Sequence, residues 1–250
     1  MNLEAVAAFA RDPDATPDGV LDALAARHYG DGASLAREGW RLISDAFEEF
    51  PYGGSVVYMA PNQIGPANLL RLEATGWRAS MVGIPYDDLD SWRGPYPPET
   101  FADQMEKCGD GFLVGAERLK KAAAVAPDGK RKETSRQAGW AEFAGLVFKS
   151  VANQTRFILI RDERARLLNA ASSNERDARL EELEDRMIEL ARAESTLATK
   201  ALEASLKDSR IGFESTNQYW FVPNDLVEKT ASCAEIIRSL ENAKIERGRR

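Results

Sequence analysis

The uneven distribution of proline constrains this chain more than any other feature of its 250 residues. Most of its 11 prolines lie between Pro51 and Pro98, and tyrosines, glycines, Trp77 and Trp92 stand between them. Each proline restricts φ and lacks a backbone donor, so this stretch is not one regular element. Its content of Trp, Tyr, Val, Ile and Leu is too high for disorder. We therefore predict an ordered, irregular aromatic loop, which is the kind of segment that usually carries function.

On both sides of this loop, apolar residues recur at helical spacing. Thr16 and Pro17 fit the start of a short helix that ends at Gly30, with one helix before it and one after it. Long helices are predicted from Pro98, from about Lys132, and after a capping-box pattern at Ser172 and Glu175. A last helix begins near Asp225.

Helices joined by short turns pack antiparallel. The sequence therefore predicts a mainly α fold, a long antiparallel helical bundle with an extended Pro/Gly/aromatic loop region. Ser55–Met59 and Ala79–Ile84 are β-prone and are expected as one or two short strands or as extended chain. We divide the chain into N-terminal helices (1–50), the aromatic and proline-rich loop region (51–98) and a long-helix bundle (99–250), packed as one compact unit.

Composition excludes several classes of function. The net charge of −7 argues against a nucleic-acid surface, and no apolar run approaches the length of a membrane span. With one histidine and no CxxC pair, the sequence implies no metal site, and no motif implies a cofactor. Cys108 and Cys233 occupy core-facing helical positions and are predicted to be buried free thiols.

One bend of the loop concentrates carboxylates, aromatic rings and an arginine. It contains Tyr86, Asp87, Asp88, Trp92 and Arg93. The functional interpretation is a contact with a sugar or another polar ligand, in which rings stack on apolar sugar faces and the charged groups bind hydroxyls. The structural interpretation, which we favour from the residues alone, is that an aspartate caps a helical turn while Trp92 is buried.

A second aromatic stretch follows the third long helix. It includes Glu214, Asn217 and Tyr219, and it either joins the same surface as the loop or is a plain connection between helices. A weaker hypothesis makes the chain a hydrolase by itself, using Asp87, Asp88 or Glu214. Glycoside hydrolysis needs two carboxyl groups about 5–10 Å apart across the scissile bond, and neighbours in sequence do not guarantee that.

Several segments together resemble a known group of proteins. These are GPANLL, TGWRASMVGIPYDDLDSWRGPYPPE, SVANQTRFILIRD and FESTNQYWFVPNDLVEK. They resemble the C-terminal helical region of large, mostly uncharacterised bacterial proteins that are similar to glycoside hydrolases with a TIM-barrel catalytic domain. The resemblance covers nearly the whole chain, although this chain has no alternating strands and helices from which to build a barrel.

The resemblance implies a carbohydrate ligand and an upstream catalytic barrel as partners, with the catalytic carboxylates on that barrel. It leaves Tyr86, Asp87, Asp88, Trp92, Arg93, Asn217 and Tyr219 as ligand-facing candidates and assigns no catalytic residue in this chain. The alternative is a non-catalytic helical bundle that serves as an interaction or scaffold module. The sequence leaves the localisation open. No signal peptide is evident, which fits a soluble, cytoplasmic protein as the chain is given, whereas an upstream part with a signal peptide would mean export.

Overall fold

The structure, a computed structural model, describes residues 2–80, 85–214 and 218–248, and it is mainly α-helical as predicted. Two short pieces of chain also form an antiparallel hairpin, in which Phe213 pairs with Tyr219. The described elements are α1 (Asn2–Arg11), α2 (Pro17–Tyr29), α3 (Ala33–Phe47), α4 (Gly54–Met59), α5 (Leu89–Trp92), α6 (Pro98–Ala124), α7 (Asp128–Leu168), α8 (Asn174–Lys207), β1 (Phe213–Glu214), β2 (Gln218–Tyr219) and α9 (Pro223–Gly248).

Met1–Glu49 and Cys108–Gly145 form one compact unit. The prediction for the start of α2 is confirmed, because the Thr16 hydroxyl accepts a hydrogen bond of 3.2 Å from the backbone N–H of Gly19. Gly30 ends this helix in a left-handed conformation with φ of 54°, as its position predicts. The core of the unit consists of Ala25, Tyr29, Ala36, Leu119, Ala122 and Ala138.

Small residues bring α3 and α6 unusually close in this unit. A Cβ atom placed on Gly115 would lie 2.9 Å from the carbonyl oxygen of Gly39, and one on Gly111 would overlap the side chain of Ala46. The glycines of α6 therefore let another backbone approach closely. Cys108 is buried and free, and its thiol contacts the carbonyl oxygen of Ala46 at 3.2 Å.

Phe50–Lys107 and Leu146–Arg250 form the second compact unit. The break after Glu49 lies one residue from the predicted boundary, whereas the other two breaks fall inside α6 and α7. Helices α8 and α9 run antiparallel, because Lys229 near the start of α9 meets Glu194 while Lys244 near its end meets Asp185. The core of this unit combines Leu70, Phe157, Ile160, Leu183, Met187, Ile188, Ala191, Cys233, Ile236 and Leu240.

A polar cluster lies within this second unit and joins α7, α8 and α9. Lys229 and Glu194 are fully buried, and Lys229 Nζ lies 2.8 Å from Glu194 Oε2. Ser150 donates to the same oxygen at 2.8 Å, and Asn153 donates to Glu194 Oε1 at 3.0 Å. Both oxygens of the buried carboxylate are thus bonded, which is the condition under which burying such a pair is tolerated.

The same cluster holds the loop region against the bundle. Gln154 donates to the carbonyl oxygen of Gly65 at 3.0 Å and accepts from the Asn68 side chain at 2.9 Å. Lys229 also donates to the carbonyl oxygen of Asn68. Gly65–Asn68 is therefore anchored by α7 and α9 through direct hydrogen bonds. We call the set Asn68, Ser150, Asn153, Gln154, Glu194 and Lys229 the Glu194 cluster.

Two local predictions are corrected by the structure. Ser55–Met59, predicted as a short strand or extended chain, lies in α4, where Val57 N–H bonds Gly53 C=O and Val56 packs inside. A strand needs a neighbouring strand to bond, and none of the described residues provides one there. The cap of α8 is Ser173, whose hydroxyl accepts from Arg176 N–H at 3.1 Å, rather than the neighbouring Ser172.

Candidate functional site

The carboxylate of Asp87 closes part of the loop region on itself. Its Oδ1 accepts from the Thr75 hydroxyl at 2.7 Å, and its Oδ2 accepts from the Thr75 backbone N–H at 2.8 Å. These two bonds join the ends of a segment 12 residues apart in sequence. They fix Thr75 and Asp87 to each other through direct hydrogen bonds.

Arg161 of α7 holds this closed segment against the bundle. Its Nη1 lies 3.1 Å from Asp87 Oδ2, and its Nη2 donates to the Asp87 carbonyl oxygen at 3.2 Å. The two side chains are only 3% and 6% exposed, so the pair is shielded from solvent. Nε of the same guanidinium donates to Asp162 at 2.8 Å. A buried ion pair with its hydrogen bonds satisfied fixes geometry.

A cleft of about 410 Å³ opens beside this ion pair. Trp77 stands at the cleft with 72% of its surface exposed, although a tryptophan is normally among the more buried side chains. The lining also brings together the loop, the first residue of α6 and the C-terminal part of α7. Its members are Ala74, Gly76, Trp77, Asp87, Asp88, Leu89, Asp90, Pro98, Leu159, Arg161 and Asp162.

Solvent-accessible carboxylates share this lining with the tryptophan. Asp88 precedes α5, accepts from the Ser91 hydroxyl and has a side chain that is 30% exposed. Asp90 is 82% exposed and Asp162 is 51% exposed. Each carboxylate has about four lone-pair positions, and the contacts described here leave acceptor capacity on these exposed groups. We call the cleft with Trp77, Asp88, Asp90 and Asp162 at its surface the Trp77 cleft.

Two of the predicted ligand-facing aromatics lie inside the protein instead. Trp92 is fully buried and packs edge-on against Phe101 with ring centroids 5.6 Å apart. Tyr86 is 1% exposed, and burial raises the pKa of its hydroxyl. Since neither ring faces solvent, both support the loop from within, and the structural interpretation of Trp92 describes its position.

Tyr86 also has an unusual backbone for a bulky residue. Its φ is 54°, in the left-handed region that residues other than Gly, Asn and Asp rarely adopt. The next residue is Asp87, whose carboxylate and carbonyl groups are both bound by Arg161. A conformation that costs about 1–3 kcal/mol persists because such neighbouring contacts determine it.

The remaining predicted residues lie apart from the lining. Arg93 donates to the Tyr96 carbonyl oxygen at 2.6 Å and to Asp90 at 2.9 Å, so it braces the turn after α5. Tyr219 packs on Phe213 with centroids 5.1 Å apart, and its hydroxyl donates to Ser209 C=O at 3.3 Å. Asn217 lies outside the described residues.

The Asp87 carboxylate is not positioned for acid–base catalysis in this arrangement. Its carboxylate is buried and accepts from Thr75 and Arg161, so neither oxygen is free to meet a substrate. The side chain of Glu214 lies outside what the structure describes. Asp88 remains accessible, but a glycosidase needs a second positioned carboxyl group. The hypothesis of hydrolysis by Asp87 therefore finds no support in the cleft.

Residues of the cleft that the sequence did not single out as ligand-facing are Arg161, Asp162, Asp90 and Trp77. The sequence contained a signal for Arg161, because this residue lies one helical turn after the core residue Phe157 in an apolar run. An arginine at a core-facing position requires a buried acidic partner. The partner itself was not identifiable, since several aspartates lie in the preceding loop.

No family model, curated protein or solved structure matches this chain. Among the described residues, no helix combines the length and the apolar character needed to cross a bilayer. Within the same ranges, His, Cys, Asp and Glu side chains form no group that could hold a metal ion.

Proposed function

We propose that the Trp77 cleft binds carbohydrate and that the chain is the C-terminal helical part of a glycoside-hydrolase-like protein. In this proposal the catalytic carboxylates lie in another part of that protein. The observation that carries the proposal is the exposed Trp77 ring in the same cleft as the accessible carboxylates of Asp88, Asp90 and Asp162. This combination offers a flat apolar surface beside several hydrogen-bond acceptors.

The chemistry of the cleft suits sugars in particular. A pyranose ring has an apolar C–H face that stacks on an aromatic ring, and an edge of hydroxyl donors that carboxylates accept. Drug-like apolar ligands would need a deeper and less polar pocket. The Asp87–Arg161 pair holds the loop before any ligand arrives, and preorganisation of this kind lowers the entropic cost of binding.

The alternative is a non-catalytic helical interaction module. Helix α1 favours it by exposing apolar side chains, since Leu3 is 85% exposed and Val6 is 65% exposed. Exposed apolar patches often mark protein contacts. This observation concerns the first unit and does not account for the Trp77 cleft, so carbohydrate binding remains the leading proposal.

Calorimetric titration of the chain with neutral oligosaccharides of the cello, xylo and chito series tests the proposal. We expect binding by at least one series and a loss of about tenfold or more in Trp77→Ala, which corresponds to about 1.4 kcal/mol. Tyr58→Ala is the matched control, because Tyr58 is also exposed in the loop region, at 58%, but does not line the cleft.

Circular dichroism checks that both variants remain folded. Failure of the folded wild-type chain to bind any of the three series would contradict the proposal and favour the interaction module. Equal losses in Trp77→Ala and Tyr58→Ala would show that the Trp77 cleft is not the site.

A further inference from the structure

A second cleft of about 370 Å³ lies in the same unit, where α6, α7 and α8 run side by side. It is lined by Glu99 and Asp103 of α6, Arg156, Leu159, Ile160 and Glu163 of α7, and Arg179, Leu183 and Arg186 of α8. We call it the α8 cleft. This cleft was not predictable from the sequence, because its charged residues belong to helical segments whose pattern is typical of solvated faces.

The α8 cleft adjoins the Trp77 cleft. Leu159 lines both, and the neighbouring residues Pro98 and Glu99 at the start of α6 each line one of them. We infer that the two clefts form one groove that binds a neutral oligosaccharide, with further sugar units in the α8 cleft. This inference rests on the proposed function of the Trp77 cleft.

Ion pairs make one wall of the α8 cleft well defined. Arg156 donates to Asp103 at 2.9 Å and to Glu106 at 2.6 Å. Burial raises the pKa of Glu106, but the hydrogen bonds and charges of Lys149 and Arg156 outweigh this effect and leave the pKa below its ordinary value. Glu106 and Arg156 therefore stay charged and paired at neutral pH, which holds these two side chains in place.

Arg179 provides the facing wall from α8. Its Nε lies 2.8 Å from Glu163 Oε1 and its Nη2 lies 3.1 Å from Glu163 Oε2, so the guanidinium and the carboxylate form a two-point contact. The hydrogen bond from Arg179 lowers the pKa of Glu163. Two-point pairs of this kind are directional, and they leave the cleft with a shape that is set before binding.

Arg186 is a charged residue of the cleft whose N–H donors can meet a ligand. It lines the cleft and is exposed, and its positive charge helps to lower the pKa of Glu163. Within the described part of the chain its guanidinium makes no hydrogen bond or ion pair. A guanidinium has five N–H donors, which can reach ring and hydroxyl oxygens of a sugar. Leu159, which lines both clefts, adds an apolar surface that the Trp77 cleft and the α8 cleft share.

Charge selects the class of oligosaccharide. In the Trp77 cleft, Asp88, Asp90 and Asp162 are accessible and would repel an acidic sugar unit. In the α8 cleft, three arginines face Glu99, Asp103 and Glu163, so the lining has no excess of either charge. A neutral chain of several units therefore fits the whole groove better than a uronic-acid chain.

The experiment titrates the whole chain with neutral oligosaccharides, from mono- to hexasaccharide, of the series that binds best. We expect affinity to rise by about tenfold or more beyond the disaccharide. Arg186→Ala should remove most of this gain, about tenfold, while leaving mono- and disaccharide binding unchanged. Arg192→Ala is the matched control, because Arg192 is an exposed arginine of α8 that pairs with Glu241 away from the cleft.

The outcomes separate the two proposals. Binding of the disaccharide without a gain for longer chains, or a gain that persists in Arg186→Ala, overturns the extended groove but leaves the Trp77 cleft as a sugar site. Tighter binding of oligogalacturonides than of neutral chains also overturns the inference about ligand class. Absence of binding at every length contradicts the proposed function itself.

Discussion

Polar side chains of α7 bind the loop region at two places, and the two sets of contacts differ in what they contribute. At the Glu194 cluster, Gln154 and Lys229 hold the Gly65–Asn68 turn. At the Trp77 cleft, Arg161 holds Asp87. Gln154 and Arg161 are seven residues apart, which is close to two turns of one helix. Helix α7 thus contributes a polar side chain to both sets of contacts, which we call the two anchors of the loop region.

The two anchors differ in their access to water. Lys229 and Glu194 are both 0% exposed, and each oxygen of the carboxylate has a partner inside the protein. Arg161 and Asp87 are nearly as buried, but a cleft opens beside them and Asp162, a partner of Arg161, is half exposed. The first anchor therefore serves stability alone, whereas the second also positions a surface that a ligand can reach.

Lys229→Met should have the largest effect on stability. It leaves the Glu194 carboxylate buried without its cation, and removing one partner of a buried pair costs about 3–5 kcal/mol. Urea unfolding followed by circular dichroism measures the loss. The affinity of the folded variant for sugar should stay within about twofold of wild type, because the Trp77 cleft does not include Lys229.

The double variant Lys229→Met/Glu194→Gln provides the control. A neutral amide retains hydrogen bonding to Ser150 and Asn153 without a buried charge, so the double variant should be more stable than Lys229→Met alone. A loss below about 1 kcal/mol in Lys229→Met would mean that water reaches the cluster, and the distinction between the two anchors would then be wrong.

Arg161→Met should destabilise less and affect binding more. Water in the adjoining cleft can solvate the abandoned Asp87 carboxylate, so we expect a loss of about 2–3 kcal/mol, at the lower end for a buried pair. The Thr75–Asp87 segment would no longer be held against α7, and carbohydrate affinity should fall by about tenfold or more. A variant that is destabilised but binds sugar normally would show that this anchor, too, is purely structural.

Helix positions were the part of the fold that periodicity predicted best. Pro98 begins α6, and the apolar stripe of α8 packs inward at Leu180, Leu183 and Met187, because long periodic segments leave little choice of face. Short segments offer no such constraint. The β-branched residues of α4 suit a strand equally well, and only tertiary packing of Val56 decided for a helix.

The sequence predicted the region of the candidate site but not which of its side chains face the cleft. Asp87 and Asp88 are adjacent in one bend, yet the first is bound by Arg161 and the second faces the cleft. Nothing in their sequence distinguishes them, because the direction of a side chain in an irregular loop depends on partners distant in the chain. Trp77 and Trp92 divide in the same way, one exposed and the other buried.

The titration of the Cys233 thiol tests whether water reaches the core near the Glu194 cluster. Burial raises the pKa of its thiol from 9.0 to about 11, while the charge of Lys229 acts to lower it and the charge of Glu194 acts to raise it. A thiol whose pKa is higher in the folded state contributes stability that is fully present below pH 9 and is lost as pH rises through 11. The wild-type free energy of unfolding should therefore fall across this window by about 1–2 kcal/mol more than that of Cys233→Ala.

The comparison uses the slope of the free energy of unfolding against pH and not its absolute value. This removes the packing cost of Cys233→Ala itself. Cys108 titrates in both proteins and therefore cancels, since burial also raises its pKa, to about 12. Parallel slopes for wild type and Cys233→Ala would indicate that the Cys233 thiol titrates near its ordinary value, so that this part of the core is wet.

Asp90→Asn should have the smallest effect on stability. Asp90 is 82% exposed, and substitutions at such positions usually change stability by less than about 0.5 kcal/mol. The amide oxygen keeps an acceptor for a sugar hydroxyl but loses the charge that strengthens the bond, so affinity should drop by about threefold. Calorimetry with the best-binding neutral oligosaccharide, beside urea unfolding, measures both quantities. Stability loss without loss of affinity would place Asp90 with the structural residues, through its contact with Arg93, and would restrict the sugar-facing carboxylates to Asp88 and Asp162.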